Sequence, residues 1–311
     1  MSQQLSGNLS IFAMQSMRSI DSWMSTIQAN LNGSTRNAFK STDIFYGGGA
    51  VNVFKAPTQT EAGIQIGEQS LSVGHTQINW KQGETVSSTQ NQHFAILGEG
   101  FFVAVEQANY AIAAYNGTGI GATKGYLIRD GEFHWATIPG VSNPLTGISE
   151  PVLVTKEGFI VLADISDGVS TGASDNINAA VTKSMFEDPV LKVRPSIFAP
   201  SYDAAGGTTA PATFVPYDEL KYSRYGSTIY EAPTATSYKT IANGSAGVLD
   251  SRSPTSVASN TLLQQSYLEA SNTNINKNIT ELATLGKIYQ GFIQVIKVYN
   301  NTLDDVLTFV K

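Results

Sequence analysis

The sequence has no cysteine, three histidines and few charged residues. Charged side chains make up 14% of the 311 residues, and the formal net charge is -6. The absence of cysteine excludes disulfides, thiol nucleophiles and cysteine-ligated zinc or iron–sulfur centres. An acidic chain without a Lys/Arg cluster has no electrostatic footprint for nucleic acid or for an anionic membrane. We therefore expect neither as a partner.

The first residues carry no export signal of the ordinary kind. Residues 1–17 contain no charged side chain, so the basic region of a secretory signal peptide is missing. No run reaches the roughly 18 apolar residues of a membrane helix. We expect a chain that stays in the cytosol or is exported by a route without a cleaved signal, and no membrane insertion.

The C-terminal region has an apolar stripe of helical period. Apolar residues recur at intervals of three and four from Ile275 to Val310, which predicts one long helix from about Asn274. The stripe is typical of a coiled-coil seam, and the alternative is an amphipathic helix that covers a sheet. We favour the seam. Gly286 and Gly291 each cost about 1 kcal/mol in a helix interior, which predicts close approach by a neighbouring helix.

A second striped helix is predicted at the N-terminus. Apolar residues recur at the same intervals from Leu5 to Leu31, and the sequence Asn32-Gly33-Ser34-Thr35 ends the helix with turn-forming residues.

Between the two helices the pattern changes to the period of two that indicates strands. Ile64 and Ile66 alternate with polar residues, and residues 101–105 form a buried-strand run. Asp130-Gly131 lies between apolar segments and predicts a β-hairpin, and Glu157-Gly158, also between apolar segments, predicts another tight connection.

These patterns predict an α+β fold with a discontinuous helical domain. The long, coiled-coil-like N- and C-terminal helices would form an assembly domain of residues 1–45 and 256–311. Residues 46–255 would form a central all-β domain, with inserted loops or a sublobe within 136–255.

No motif carries a convincing catalytic, cofactor or metal site. Gly117–Ala122 fits a dinucleotide fingerprint, but a strand pattern follows it where a helix is required. Asn243–Gly247 lacks the first glycine of a nucleophile elbow. The histidines His75, His93 and His134 have no metal-ligand spacing. We therefore predict no enzyme activity, no cofactor and no metal.

Helical stripes at both ends favour self-association. Stripes that a distant β-domain cannot cover are buried best against each other and against further copies of the chain, and interfaces that do not close produce a helical polymer. The intramolecular alternative is a helical hairpin. The predicted assembly interface comprises Met17, Ile20, Met24, Ile27, Leu31, Leu282, Leu285, Tyr289, Phe292, Ile296, Tyr299 and Leu303.

Several motifs, in order along the chain, resemble those of the bacterial flagellar rod and hook proteins. The chain resembles the family's β-domain and the signature that precedes its C-terminal helix, although Ala38 stands where the family has glycine and 136–260 shows little match. The matching segments are Gly63-Ile64-Gln65-Ile66-Gly67, Gln82-Gly83, Leu97-Gly98-Glu99-Gly100-Phe101-Phe102-Val103, Arg129-Asp130-Gly131-Glu132-Phe133 and Leu268-Glu269-Ala270-Ser271-Asn272.

Within that family the segment from Phe45 to Ala62 resembles an insertion of distal rod proteins, and hook or proximal rod subunits are the alternatives. The resemblance implies a structural subunit that forms a torque-transmitting helical tube around the export channel. It implies partners as well: further copies, other rod and hook subunits, the bushing rings and the flagellar type III export apparatus. The implied location is the flagellar basal body, from periplasm to cell surface.

Two other classes of protein stay open. A surface adhesin or sugar-binding β-protein with a helical stalk would expose aromatic residues on a sheet, and Tyr222, Tyr225 and Tyr230 are candidates. An enzyme acting on peptidoglycan or polysaccharide would need a pair of carboxylates, which sequence spacing alone does not reveal.

Overall fold

The structure is a computed structural model that describes residues 3–49, 52–55, 64–67, 70–110, 125–143, 146–164, 177–189, 193–195, 197–198, 220–231 and 262–309. The elements, in chain order, are α1 (Gln3–Gly33), β1 (Thr42–Gly49), β2 (Asn52–Lys55), β3 (Ile64–Ile66), β4 (Ser70–Ile78), β5 (Thr85–Ser87), β6 (Phe94–Leu97), β7 (Phe101–Val105), β8 (Gly125–Ile128), β9 (Phe133–Ala136), β10 (Val152–Thr155), β11 (Ile160–Asp164), β12 (Ile177–Ala180), α2 (Lys183–Glu187), β13 (Ile197–Phe198), β14 (Lys221–Ser223), β15 (Gly226–Glu231), β16 (Leu262–Gln265), β17 (Tyr267–Glu269) and α3 (Ile275–Phe309).

The chain divides into two compact units. Unit 1 takes its residues from 1–34, 41–79 and 273–311, and therefore contains α1, α3 and β1 to β4. Unit 2 takes its residues from 35–40 and 80–272 and contains the remaining strands and α2. The predicted boundaries at 45/46 and 255/256 remain predictions.

In unit 1, two helices and a β-hairpin share one apolar cluster. Ile20 and Ile27 of α1 and Leu285 of α3 are buried together, and Leu71 of β4 packs against them. β1 and β4 pair antiparallel from Thr42 opposite Ile78 to Gly49 opposite Ser70, with an irregularity between Phe45 and Tyr46. β2 and β3 form a second antiparallel pair.

Serine hydroxyls on α1 fix β4 against the helix. The Leu71 N–H donates to Ser16 Oγ at 2.9 Å, and Ser19 Oγ donates to the Leu71 carbonyl at 2.9 Å. Both bonds give a partner to a main-chain group of Leu71 that would otherwise need to bond to water. At the start of α3, Asn274 caps the helix, since its Oδ1 accepts from the Lys277 N–H at 3.0 Å.

Unit 2 is built on a nine-stranded antiparallel sheet. Seven strands follow the order β14-β15-β8-β7-β11-β10-β9, with β12 paired to β11 and β13 paired to β7. Two smaller pairs, β16–β6 and β17–β5, bring residues just before α3 against strands from the first third of the chain. β7, β8 and β10 are buried along their whole length, which explains their continuous apolar runs.

The predicted fold class was wrong. The described chain is mostly antiparallel β-sheet, with one N-terminal and one C-terminal helix in place of long coiled-coil helices. The physical reason lies in unit 1, where the α1 stripe also packs on the β1–β4 hairpin, so the helices do not face each other along a dedicated seam. Only Leu285 of the α3 stripe is fully buried, and the helix end from Asn301 to Phe309 is exposed.

The two predicted tight connections had different outcomes. Glu157-Gly158 does connect the antiparallel strands β10 and β11, and Gly158 has a φ of +89° that favours glycine. The hairpin predicted at Asp130-Gly131 was wrong, because β8 pairs with β7 and β15 whereas β9 pairs with β10. Gly131 instead lies against the main chain of Phe94, where an added Cβ would come within 1.6 Å of the carbonyl oxygen.

Of the region 136–255, the described parts supply β10 to β15 of the large sheet together with α2. Of the segment from Phe45 to Ala62 that resembles an insertion, residues 45–49 and 52–55 belong to β1 and β2. The rest of that segment, Gly117–Ala122 and Asn243–Gly247 lie outside the described residues.

Candidate functional site

The twelve predicted interface residues fall into two groups. Eight of them pack together within unit 1, three fully buried and five partly buried. These are Ile20, Met24, Ile27, Leu31, Leu282, Leu285, Tyr289 and Phe292. They stabilise the packing of α1, α3 and β4 within one chain, and their role in contacts with a second copy stays a prediction.

The other four predicted residues lie outside this cluster. Met17, Ile296 and Tyr299 are partly buried, and Leu303 is exposed. Three of the four belong to the C-terminal half of α3, after the last cluster residue, Phe292.

Sequence reasoning missed a second apolar surface on α3. Val298, Val306, Leu307 and Phe309 are 62%, 59%, 63% and 90% exposed, and Ile288 and Val295 are exposed as well. Most of these residues lie off the predicted stripe, so a search for a single 3–4 pattern passes over them. We call this set, Ile288, Val295, Val298, Val306, Leu307 and Phe309, the outer α3 surface. A set of this size on one helix is the kind of surface that marks an interaction site.

The two helix glycines have no close neighbour among the residues that the structure describes. A Cβ built at Gly286 or Gly291 would meet nothing within 4 Å. The close helix approach predicted for them is therefore not made by α1.

A buried carboxylate in unit 2 joins the residues of several sequence motifs. Glu269 on β17 accepts from Lys40 Nζ at 2.7 Å through Oε1 and from Arg129 Nε at 2.7 Å through Oε2. The Gly83 N–H donates to the same Oε1 at 2.8 Å. The side chains of Lys40 and Arg129 are 1% and 5% exposed, so all three charges are removed from water. We call these four residues the Glu269 cluster.

Main-chain carbonyls complete the coordination of the two cations. Arg129 donates to the carbonyls of Gly98 and Gly100 at 2.5 and 2.6 Å, and Lys40 Nζ donates to the Lys81 carbonyl at 3.0 Å. With two cations against one carboxylate, these carbonyl dipoles stabilise the excess positive charge. The arrangement holds three distant parts of the chain together and leaves no group positioned for chemistry.

The charged groups of the Glu269 cluster shift one another's pKa values. Burial acts to raise the pKa of Glu269, but Arg129, Lys40 and the bond from the Gly83 N–H outweigh it and hold that pKa below its ordinary value. Burial lowers the pKa of Lys40, and the nearby Glu269 only partly offsets this effect. Glu269 is therefore ionised at neutral pH.

Ala38 keeps the backbone conformation that a glycine would favour. It is buried with a φ of 54°, in the left-handed region, and its N–H donates to the Glu269 carbonyl at 2.7 Å. Ala38 therefore keeps the local turn although the family that the chain resembles has glycine at this position, and the turn carries some backbone strain.

The histidines and carboxylates of the described residues do not form a metal site. The part of the chain covered by the structure contains no group of three His, Asp or Glu side chains that could hold a metal ion. His93 Nδ1 lies 2.7 Å from Ser88 Oγ, and His75 stacks on Phe45 with ring centroids 4.7 Å apart. Within the same residues, no helix has the length and apolar character needed to cross a bilayer.

The three tyrosines proposed for a sugar-binding face do not share one exposed surface. Tyr222 and Tyr225 are exposed, whereas Tyr230 is fully buried and packs against Trp80 and Phe101. Tyr225 donates a hydrogen bond to Glu106, as does Tyr126. These contacts join the turn between β14 and β15 to β8 through Glu106, the residue that follows β7.

Comparison of the chain with models of protein families and with curated proteins found no match.

Proposed function

We propose that this protein is a structural subunit of the bacterial flagellar rod, most similar to the distal rod proteins, that self-assembles through its helical unit. The observation that carries the proposal is the outer α3 surface, where apolar side chains of one helix are exposed and the described residues do not cover them. Association with further copies would bury this surface and gain roughly 25 cal/mol per Å² of apolar area.

The Glu269 cluster supports the part of the proposal that rests on resemblance. The segments that resemble the rod and hook family lie far apart in sequence, yet Gly83, Gly98, Gly100, Arg129 and Glu269 are joined by hydrogen bonds. Because these residues are bonded to one another in the folded chain, the motifs that contain them have a physical reason to occur together.

Assembly is tested with the purified full chain. Sedimentation velocity and negative-stain electron microscopy should show large assemblies at high protein concentration. The paired substitutions Val298→Asp and Val306→Asp should abolish them, because each places a charge on the outer α3 surface. Gln290→Asp and Gln294→Asp together add the same two charges at exposed polar positions of the same helix and serve as the matched control.

Two further results separate the outcomes. Loss of assembly with unchanged circular dichroism supports an interface on α3, whereas equal assembly of the paired variant and the control contradicts it. The flagellar assignment is tested by isolating hook–basal bodies from the source bacterium and probing them with an antibody to this chain. Absence of the chain from pure basal bodies would overturn the rod assignment while leaving self-assembly standing.

A further inference from the structure

Unit 1 contains a cleft that the proposed assembly does not use. Its volume is about 310 Å³, which lies at the lower end of the range for small-ligand sites. The cleft lies between α1, the start of β1 and the first turns of α3, and its lining includes Trp23, Asn30, Ile44 and Asn278. Aromatic and apolar side chains with a few polar groups are typical of sites that bind a ligand through shape and a small number of hydrogen bonds.

Asn278 brings an unused hydrogen-bonding group to this cleft. The residue is only 7% exposed, and its main-chain N–H donates to the Asn274 carbonyl at 3.1 Å. Its carboxamide has no partner among the described residues. A carboxamide offers two donors and one acceptor oxygen, so it matches a ligand group that both donates and accepts, such as a peptide unit.

The edge of β1 beside the cleft already binds one amide group. Asn30 Oδ1 accepts from the Thr42 N–H at 2.8 Å, and Asn30 Nδ2 donates to the Thr42 carbonyl at 2.9 Å. The Asn30 side chain thus makes both bonds that a residue of a neighbouring strand would make. The Thr42 main chain therefore faces away from β4.

The alternation of an antiparallel ladder then places Ile44 on the same edge. The Asn79 N–H donates to the Ser41 carbonyl at 2.8 Å, so the bonds between β1 and β4 fall at odd-numbered residues of β1 as far as Phe45. The N–H and carbonyl of Ile44, like those of Thr42, point away from β4. β4 is the one strand that pairs with β1 within the described chain, which leaves this position of the edge open.

The charges that line the cleft favour a basic ligand over an acidic one. Asp43 and Glu281 contribute two carboxylates and Lys277 contributes one ammonium group, which lies 3.8 Å from Glu281. One negative charge is in excess. Asp43 also accepts from Asn79 Nδ2 at 3.2 Å, so its orientation is fixed.

We propose that this cleft binds an extended peptide segment of another protein, added as a strand to the open edge of β1. The peptide main chain bonds to Ile44, the Asn278 carboxamide bonds to a second peptide unit, and a Lys or Arg of the peptide lies near Asp43 and Glu281. Addition of a strand to a free sheet edge is a common mode of peptide recognition, because main-chain bonds give affinity with little dependence on sequence. The inference is independent of the rod assignment, since it concerns a single chain.

The test is calorimetric titration of the full chain with the peptide acetyl-Thr-Val-Thr-Lys-Thr-Val-amide. Two altered peptides accompany it: one with Glu in place of Lys, and one N-methylated at the central Thr and at Lys, which removes main-chain donors. We expect the first peptide to bind, the Glu peptide to bind at least fivefold more weakly, and the N-methylated peptide to lose at least tenfold. Asn278→Leu should also reduce affinity at least tenfold, whereas Asn276→Leu, at an exposed position of the same turn, should not.

Three outcomes would overturn the proposal. They are no binding up to about 1 mM peptide, equal binding of the N-methylated peptide, and equal binding by Asn278→Leu and the parent chain. If Asn278→Leu fails to fold by circular dichroism, the comparison of the peptides on the parent chain decides the question. Self-association of the chain that competes with every peptide would assign the cleft to a second copy and would contradict a foreign partner.

Discussion

Replacing Glu269 with glutamine should strongly destabilise unit 2. Glutamine has nearly the same volume, so the change removes the negative charge without opening a cavity. Lys40 and Arg129 then remain buried without a counter-charge, and the new amide group faces a cation with a donor. Removing one partner of a buried ion pair costs about 3–5 kcal/mol. That is a large part of the roughly 5–15 kcal/mol by which a domain is stable.

The measurement is urea unfolding followed by near-ultraviolet circular dichroism and by the fluorescence of Trp80, which packs against Phe101 and Tyr230 in unit 2. Trp23, the tryptophan of unit 1, is replaced with phenylalanine in every chain compared, so that the fluorescence of Trp80 and Trp135 reports on unit 2. The matched control is Glu84→Gln, an exposed glutamate whose neutralisation should change stability by less than about 0.5 kcal/mol.

Lys40→Met should cost less than Glu269→Gln, because the bond between Arg129 and Glu269 stays in place and a desolvated ammonium group is removed. Equal unfolding midpoints for Glu269→Gln and Glu84→Gln would refute the reasoning, since they would show that the buried carboxylate stabilises no more than a solvated one. A larger loss for Lys40→Met than for Glu269→Gln would refute the assignment of Glu269 as the centre of the cluster.

Four further changes test the same structure. Because the pKa of Glu269 is held below its ordinary value of 4.5, its stabilising contribution is complete above that pH and is lost as the pH falls through the folded-state pKa. The difference in unfolding free energy between the parent chain and Glu269→Gln should therefore shrink on acidification. A constant difference in urea unfolding from pH 7 to pH 3 would contradict this. Gly131→Ala should cost more than 2 kcal/mol in the same assay, since its Cβ would lie 1.6 Å from the Phe94 carbonyl oxygen and main chain must move. Gly286→Ala should raise thermal stability by up to about 1 kcal/mol, because the site is open in the chain; a loss of stability would show that a neighbour absent from this chain packs there. Ala38→Gly should stabilise by up to about 1 kcal/mol, as glycine relieves the φ of 54°, and a clear loss in differential scanning calorimetry would contradict a strained turn.

The sequence was most informative about elements whose own residues determine them. The stripe from Leu5 to Leu31 predicted α1, and turn residues after it predicted its end at Gly33, because a helix is specified by residues three and four positions apart. Alternation and apolar runs likewise predicted β3 and β7. The sequence of a helix does not reveal what its apolar stripe packs against. Nothing within α1 indicates that Leu71 of β4, as well as α3, packs on the apolar face of α1.

The polar interior was beyond sequence reasoning for a similar reason. Glu269 is one of 25 acidic residues, and its burial follows from Lys40 and Arg129, which lie 229 and 140 positions away. Asp130-Gly131 predicted a hairpin on local grounds, but the pairing of β8 with β15 overrides the local preference. The cleft depends on Asn30 reaching Thr42, a contact across a chain reversal that composition and period do not reveal.

The position of Glu269 near the end of unit 2 has a consequence for biosynthesis. Its carboxylate meets Lys40 only after 229 more residues have been added to the chain, which takes roughly 10–50 s at 5–20 residues per second. Through that interval Lys40 and Arg129 lack the carboxylate that they contact in the folded interior, and β5 and β6 lack their partners β17 and β16. A nascent chain that stops before Glu269 therefore keeps an unfinished, hydrated interior that chaperones and proteases can distinguish from the completed protein.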